Sequence, residues 1–373
     1  MTVIRSTACI GALALFAAAA AHAEDAPAAA PADASPFAYS GYVDASYTNL
    51  SGLGVFTSGA ADRVFDTKKS GFALQQAAIN VGYQPKTGFG AFLNLTAGND
   101  ADVISPYSIY GKSHKFDVTQ AYVQYATGSL TVIAGKYVTL AGAEVIASPS
   151  NPNFSRSILF GFAIPFTHTG LRATYAASDT VNLIVGVNNG WDDLKDTNTS
   201  KTLEVGATYA PTKTFSLAAS GYFGKERIGY MTDQGPEGQR SLLDIVATWN
   251  ATDALTVILN YDWGQQKDVT DGVSTPFDAK WSGLAGYLNY TISDKWKASL
   301  RAEYLDDTDG YRTGVAQKWK EVTATLAYLP CKPLELRLEG RADSSDSANF
   351  VKSAAGDVSS SQNSVSVQAL YKF

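Results

Sequence analysis

From Phe37 to the last residue, polar and apolar side chains alternate in runs of about ten to twelve residues, and no other feature limits the fold so strongly. Leu334, Leu336 and Leu338 alternate with Glu335, Arg337, Glu339 and Arg341. Trp296, Ala298, Leu300, Ala302 and Tyr304 alternate with Lys297, Ser299, Arg301 and Glu303. Successive side chains of a strand point to opposite faces, so each run reads as a strand with one apolar and one polar side. Strands of soluble sandwiches usually end after about five or six residues, whereas a tilted strand crosses a bilayer in about 9–11. The runs have membrane-spanning length.

Their connections alternate as well. Short turns fall at 84–87, 127–128, 178–179, 211–213, 251–253, 293–294 and 330–333. Longer connections fall at 48–71, 99–115, 139–167, 190–200, 224–239, 264–278, 306–317 and 343–361. A β-propeller shares the spacing of about forty residues between short turns, but a blade needs four short strands where each repeat here holds two long ones. The pattern predicts an all-β, transmembrane, antiparallel up-and-down barrel over 37–373, of about sixteen strands within limits of 14 and 18. Short turns then face the periplasm, long loops face outward, and an even count leaves both termini at the short-turn end. Closure removes every unpaired sheet edge, as lipid requires. A barrel of this size encloses water, because inward side chains alone cannot fill it.

Aromatic residues fit that orientation. Tyr83, Tyr125, Tyr175, Tyr209, Trp249, Tyr290 and Tyr328 stand just before successive short turns on the apolar face, the position of a periplasmic aromatic girdle at the headgroup level. The last strand, with Val365, Val367, Ala369, Tyr371 and Phe373 on one face, resembles the closing strand of bacterial outer-membrane proteins. That resemblance implies recognition by the barrel-assembly machinery.

Residues 1–23 carry Arg5, an apolar stretch and Ala21-His22-Ala23 before Glu24, which reads as a signal peptide; residues 24–36 form an Ala/Pro-rich segment. Removal of residues 1–23 takes Arg5 from the 29 basic residues and leaves 28 against 35 acidic ones, a balance that disfavours nucleic acid. Cys9 leaves with the signal, so Cys331 is alone and no intrachain disulfide forms. The expected location is the bacterial outer membrane, with its lipid and lipopolysaccharide as neighbours.

One stretch breaks the period. Residues 139–167 hold one acid, Glu144, one base, Arg156, and many apolar side chains. A loop this long in an ordered chain is normally functional. Ile146, Phe154, Ile158, Leu159, Phe160, Phe162, Ile164 and Phe166 would form a costly patch in water. Packed against the inner wall they leave Glu144, Asn151, Asn153, Ser155 and Arg156 to narrow the lumen; a trimer contact or an outer cap is the other placement. Inward lumen charges are expected at His168 and Arg172, at Lys297, Arg301 and Glu303, and at Glu335, Arg337, Glu339 and Arg341. The strand of Arg301 lies across the barrel from where this loop departs, so Glu144 faces a partly basic wall and a transverse field is predicted. Lys136 lies on a strand apolar on both faces and its side stays open.

In size, strand count and third-loop insertion the chain resembles general trimeric porins. Gly135-Lys136-Tyr137, Gly142 with Glu144, Asn153-Phe154-Ser155-Arg156-Ser157, Pro165 with His168-Thr169-Gly170, and Asn188-Asn189-Gly190-Trp191-Asp192 resemble the OmpL-like β-barrel porin family. The resemblance implies a channel for passive diffusion of small hydrophilic solutes or ions, a possible homotrimer and no cofactor, and it names no solute. Two other classes are weighed against it. A closed or solute-selective barrel would serve adhesion or envelope integrity. An outer-membrane hydrolase would need a close His–acid or His–Ser pair, for which His114 near Asp117 is the local candidate. Asp306-Asp307-Thr308-Asp309-Gly310 resembles part of a calcium loop but has Leu305 in the first ligand place, so it reads as a polar outer loop and no metal is expected.

Overall fold

The computed structural model describes residues 37–51, 63–65, 70–105, 115–227, 236–270, 275–353 and 355–373. The expected signal peptide, the Ala/Pro-rich segment and His114 lie outside these residues. The strands are β1 (Phe37–Leu50), β2 (Ser70–Tyr83), β3 (Gly88–Ala97), β4 (Phe116–Thr127), β5 (Leu130–Val138), β6 (Thr167–Ser178), β7 (Val181–Asn188), β8 (Thr202–Thr212), β9 (Phe215–Arg227), β10 (Glu237–Asn250), β11 (Leu255–Val269), β12 (Phe277–Ser293), β13 (Trp296–Asp307), β14 (Gln317–Cys331), β15 (Leu334–Ser345), β16 (Phe350–Val351), β17 (Val358–Ser359) and β18 (Ser361–Lys372). All but β16 and β17 join one closed barrel of sixteen strands in chain order.

The seam pairs β1 with β18 antiparallel, from Tyr42 opposite Lys372 to Leu50 opposite Ser364. Beyond the last pair the backbones of Gly41 and Phe373 exchange two hydrogen bonds of 2.9 Å. The Phe373 ring lies on Gly41, where a Cβ would come within 2.4 Å of it. Glycine is required there by close approach.

The alternation orders the two faces as membranes demand: Leu338 is 52% exposed on the outer face, while Arg337 and Glu339 beside it are buried within. Tyr83, Tyr125, Tyr175, Tyr209, Trp249 and Tyr290 are exposed outward near the short turns. Tyr328 is half-buried, because Trp296 packs against it with ring centroids 4.7 Å apart.

Three loops differ from the expected polar connections. The 264–278 connection is largely ladder, since β11 and β12 stay paired through Gln266–Ala279 and again at Val269–Phe277. In the 99–115 connection a short helix, α1 (Asn99–Ile104), turns inward: Ile104 is buried and Gln76 donates to Asp100 at 2.8 Å. The last loop carries the β16–β17 ladder, which tucks Phe350 against Trp319. In the last two cases a wall partner or a buried aromatic, invisible to periodicity, stabilises the excursion.

Candidate functional site

The third loop runs between β5 and β6 and lies inside the barrel. It contains a 3-10 turn at Ser148–Ser150 and a π-helical turn at Leu159–Ala163. Ile146, Phe154, Ile158, Leu159, Phe160, Phe162, Ile164 and Phe166 are all buried, most of them in one cluster with Trp191, Tyr222, Leu242, Trp281 and Trp319 from the walls and outer loops. Burying each such side chain contributes about 1.5–3 kcal/mol, which favours the inward path over one in water. Leu159 fills the space left by Gly283 on β12, where a Cβ would stand 2.1 Å from its Cδ2.

Wall carboxylates hold the main chain of this loop. Glu339 accepts from the backbone N–H of Phe154 at 2.6 Å and of Ser155 at 3.0 Å. Glu303 accepts from Ile158 at 2.7 Å and Leu159 at 3.1 Å. Consecutive N–H groups that converge on one anion form a concave donor pair, and charge-assisted bonds of this kind are the strong ones. Glu144, within the loop, accepts from the N–H of Ser157 at 2.8 Å and receives Arg301 at 2.7 Å. Arg301 also donates to the Ser155 carbonyl at 2.7 Å and to Glu321 at 3.0 Å, and Arg341 donates to the Arg156 carbonyl at 2.7 Å.

The five loop residues expected at the lumen are therefore placed as follows. Glu144 is ion-paired to the opposite wall; Asn151 closes its own loop on Val145 and Ala147; Asn153 donates to Thr325 at 2.8 Å; Ser155 meets Arg301; and Arg156 donates to the carbonyls of Phe154 and Ile146. All five are buried. The predicted transverse field between Glu144 and a separate basic wall is replaced by direct contact. The loop spans the lumen, so the charges meet and neutralise one another.

Among the lumen charges, Arg337 pairs with Glu335 at 2.6 Å and reaches the Asn153 carbonyl, and Arg341 grips Asp343 at 2.7 Å. Arg172 forms a two-point pair with Glu204 and stands 4.2 Å from the Tyr137 ring centroid. His168 stacks on Tyr222 with centroids 4.7 Å apart and its Nδ1 meets the Gly190 carbonyl at 3.0 Å. Lys297 is half-buried toward the short-turn end. Lys136, whose side stayed open, is buried against Asp117 at 3.0 Å. That pairing occupies the acid considered beside His114. Asp307 accepts from the backbone of Arg312 and Thr313 within its own loop.

Sequence reasoning did not single out Glu321, Asp343, Arg63, Glu204 and Tyr222. The first two share the inward parity of Arg301 and Arg341, so the alternation carried a signal for them: Glu303 lies opposite Glu321, and Glu321 opposite Asp343. In the fourth loop, Asp192 accepts from the N–H of Phe166 and of Thr167 at 2.8 Å each. Burial nevertheless pushes its carboxyl up to about 6. Asp193 is raised to about 7, by burial first and then by Glu226.

A closed sixteen-strand barrel, apolar outside and traversed inside by its third loop, defines an outer-membrane channel protein. The sequence profile of the β-barrel porin-2, OmpL-like, family matches residues 36–373, and the chain belongs to that family: it is a porin of the bacterial outer membrane. No curated protein matches this sequence. Solved structures share the fold at low identity. The outer-membrane channel DcaP of Acinetobacter baumannii is 15% identical over 90% of this chain and 97% of its own, with a TM-score of 0.62. The anion-selective porin from Comamonas acidovorans is 13% identical over 90% and 99%, with a TM-score of 0.62. OmpT of Vibrio cholerae, in its trimer form, is 11% identical over 90% and 99%, with a TM-score of 0.60.

Proposed function

We propose that residues 139–167 are the constriction of a non-enzymatic diffusion channel, and that Glu144, Asn151, Asn153, Ser155 and Arg156, with the wall charges they meet, set what passes. The observation that carries this reading is the grip of Glu339 and Glu303 on four backbone N–H groups of the loop, which fixes its path across the lumen. Deleting residues 148–160 and reconstituting the barrel in a planar bilayer raises single-channel conductance on this reading. An unchanged conductance refutes it.

One observation favours a second reading, a closed or strongly selective barrel with an envelope role. At the height of the loop Leu159, Arg301 and Thr323 have no exposed surface. Absence of current at every voltage in the intact protein would decide for it. We further propose a homotrimer, contact of the outer loops with lipopolysaccharide, recognition of the strand ending in Phe373 by the assembly machinery, and a mature chain that begins at Glu24. Cross-linking in the membrane and N-terminal sequencing test the first and last of these.

A further inference from the structure

Asp244 on β10 and Asp262 on β11 stand directly opposite each other and are buried at 1% and 0% exposure. Their carboxyl groups are in hydrogen-bonding contact. Two ionised carboxylates are acceptors only, so they can bond each other only if one of them carries a proton. The surroundings tell which. Asp244 has donors of its own: Asn260 gives its side-chain N–H at 2.7 Å and Ser220, opposite it on β9, its hydroxyl at 3.5 Å. Neither oxygen of Asp262 has a donor among the described residues. Asp244 is therefore dressed as the carboxylate and Asp262 as the acid that donates to it.

A second acid pair in the same barrel is neutralised differently. Glu303 and Glu321 also stand opposite each other, but Arg301 pairs with them at 3.5 and 3.0 Å and Arg341 reaches Glu321 at 3.9 Å. Like charges in contact at a dry site need such a counter-charge, or else share a proton. Opposite Asp262 on β12 lies Gly283, which brings no side chain, and the charged groups that act on Asp262 are Asp244 and Glu303 of β13, both acids. Among the described residues no three acids, histidines or cysteines gather to hold a metal ion. The pair touches the third loop through one side chain. Asn260 donates to Asp244 with its nitrogen, and its oxygen accepts the backbone N–H of Ala143 at 3.2 Å. Asp262, Asp244 and Asn260 thus form a relay from the wall to the start of the loop.

We propose that Asp244 and Asp262 form a proton-binding site in the channel wall, and that the one proton they share, carried by Asp262 and donated to Asp244, latches the start of the third loop through Asn260. Loss of that proton at alkaline pH places two negative charges in contact, draws Asp244 away from Asn260 and frees Ala143. The proposal rests on the channel reading above and adds a regulating ligand to it.

The test compares the full-length protein with Asp262→Asn, whose amide keeps a donor to Asp244 at every pH, with folding checked by heat-dependent migration in gels. At neutral pH the infrared spectrum of the parent minus that of the variant should show the carbonyl stretch of a protonated buried carboxyl, and the band should fade as pH rises. Hydrogen-exchange protection factors over 142–144, which take out the intrinsic effect of pH, should drop at least about tenfold from about pH 6 to about pH 9 in the parent and stay level in the variant. Single-channel current should rise over the same range in the parent alone. Asp192 and Asp193 of the fourth loop are present in both proteins, so their titration cancels in the comparison. Asn260→Ala is the second variant: it keeps both acids and cuts the relay, so the band should remain while protection at 142–144 is low at every pH. Absence of the band overturns the site. So does protection that varies with pH equally in the parent and Asp262→Asn, or a response that appears only with added metal ion. No current at any pH, with the band and the protection behaving as stated, supports the site and sinks the channel reading instead.

Discussion

Glu339→Gln isolates what holds the third loop. Glu339 uses both carboxylate oxygens: Oε1 takes the Ser155 N–H at 3.0 Å, and Oε2 takes the Phe154 N–H at 2.6 Å and the Thr325 hydroxyl at 2.8 Å. Glutamine keeps the shape but replaces one acceptor by a donor, so one loop N–H loses its partner and faces another N–H. Hydrogen bonds to charged groups contribute about 1.5–3 kcal/mol and neutral ones about 0.5–1.5. One bond lost and two weakened therefore sum to roughly 3 kcal/mol, or about a hundredfold rise in the undocked population of the loop. Amide hydrogen exchange across 151–160, measured in detergent by mass spectrometry, should quicken by that order, since exchange from a locally opened segment follows its opening equilibrium. Thr325→Val removes the hydroxyl contacts with Glu339 and with the Asn153 side chain but leaves both backbone N–H groups on the carboxylate, so it should quicken exchange by less than Glu339→Gln does. If Glu339→Gln leaves protection at 151–160 as it was, with the barrel still folded by its heat-dependent migration in gels, the carboxylate does not fix the loop.

The remaining expectations are narrower. Gly283→Val places branched carbon where Leu159 Cδ2 lies 2.1 Å from a Cβ, and overpacking of about 1–3 kcal/mol should loosen the π-helical turn and speed its exchange. Gly41→Val puts a Cβ 2.4 Å from the Phe373 ring and 2.8 Å from the Ala78 carbonyl, so the yield of heat-modifiable, closed barrel should fall sharply. In the fourth loop Asp192 and Asp193 titrate near 6 and 7, above their ordinary 3.8. The folded loop therefore binds protons more tightly than the unfolded chain, and the stability this gives is complete below pH 4 and lost as pH rises through 6 to 7. Quenching of Trp191 by an aqueous quencher should accordingly increase between pH 5 and 8, most of the change should vanish in Asp193→Asn, and a flat profile in the parent protein refutes the assignment.

How far the sequence could be read depended on the range of the interaction. Alternation at Leu334–Arg341 depends on neighbours two residues apart, and it told which side chains face lipid and which face inward. The irregular stretch at 139–167 was legible as a greasy loop for the same local reason. Its partners were not. Arg301 and Glu144 are 157 residues apart and Glu339 and Phe154 are 185 apart, and nothing in either segment specifies the height at which they meet. Inward parity alone made Lys297 and Arg301 equals, yet only Arg301 stands at the level of the loop. Lys136 could not be placed because its strand is apolar on both sides, and its pairing with Asp117 depends on a bulge in β4 beside Asn94.

The grip of Glu339 and Glu303 on backbone N–H groups has an evolutionary consequence. Every residue except proline carries that donor, so the two acids hold positions 154, 155, 158 and 159 whatever side chain stands there, and only the packing of Phe154, Ile158 and Leu159 restricts the choice. The frame and the lining are thereby separable: a lineage could retune what the channel admits by point changes in the loop, leaving sixteen strands and two anchoring acids untouched, and proline is the one residue the anchoring itself would exclude at those four positions.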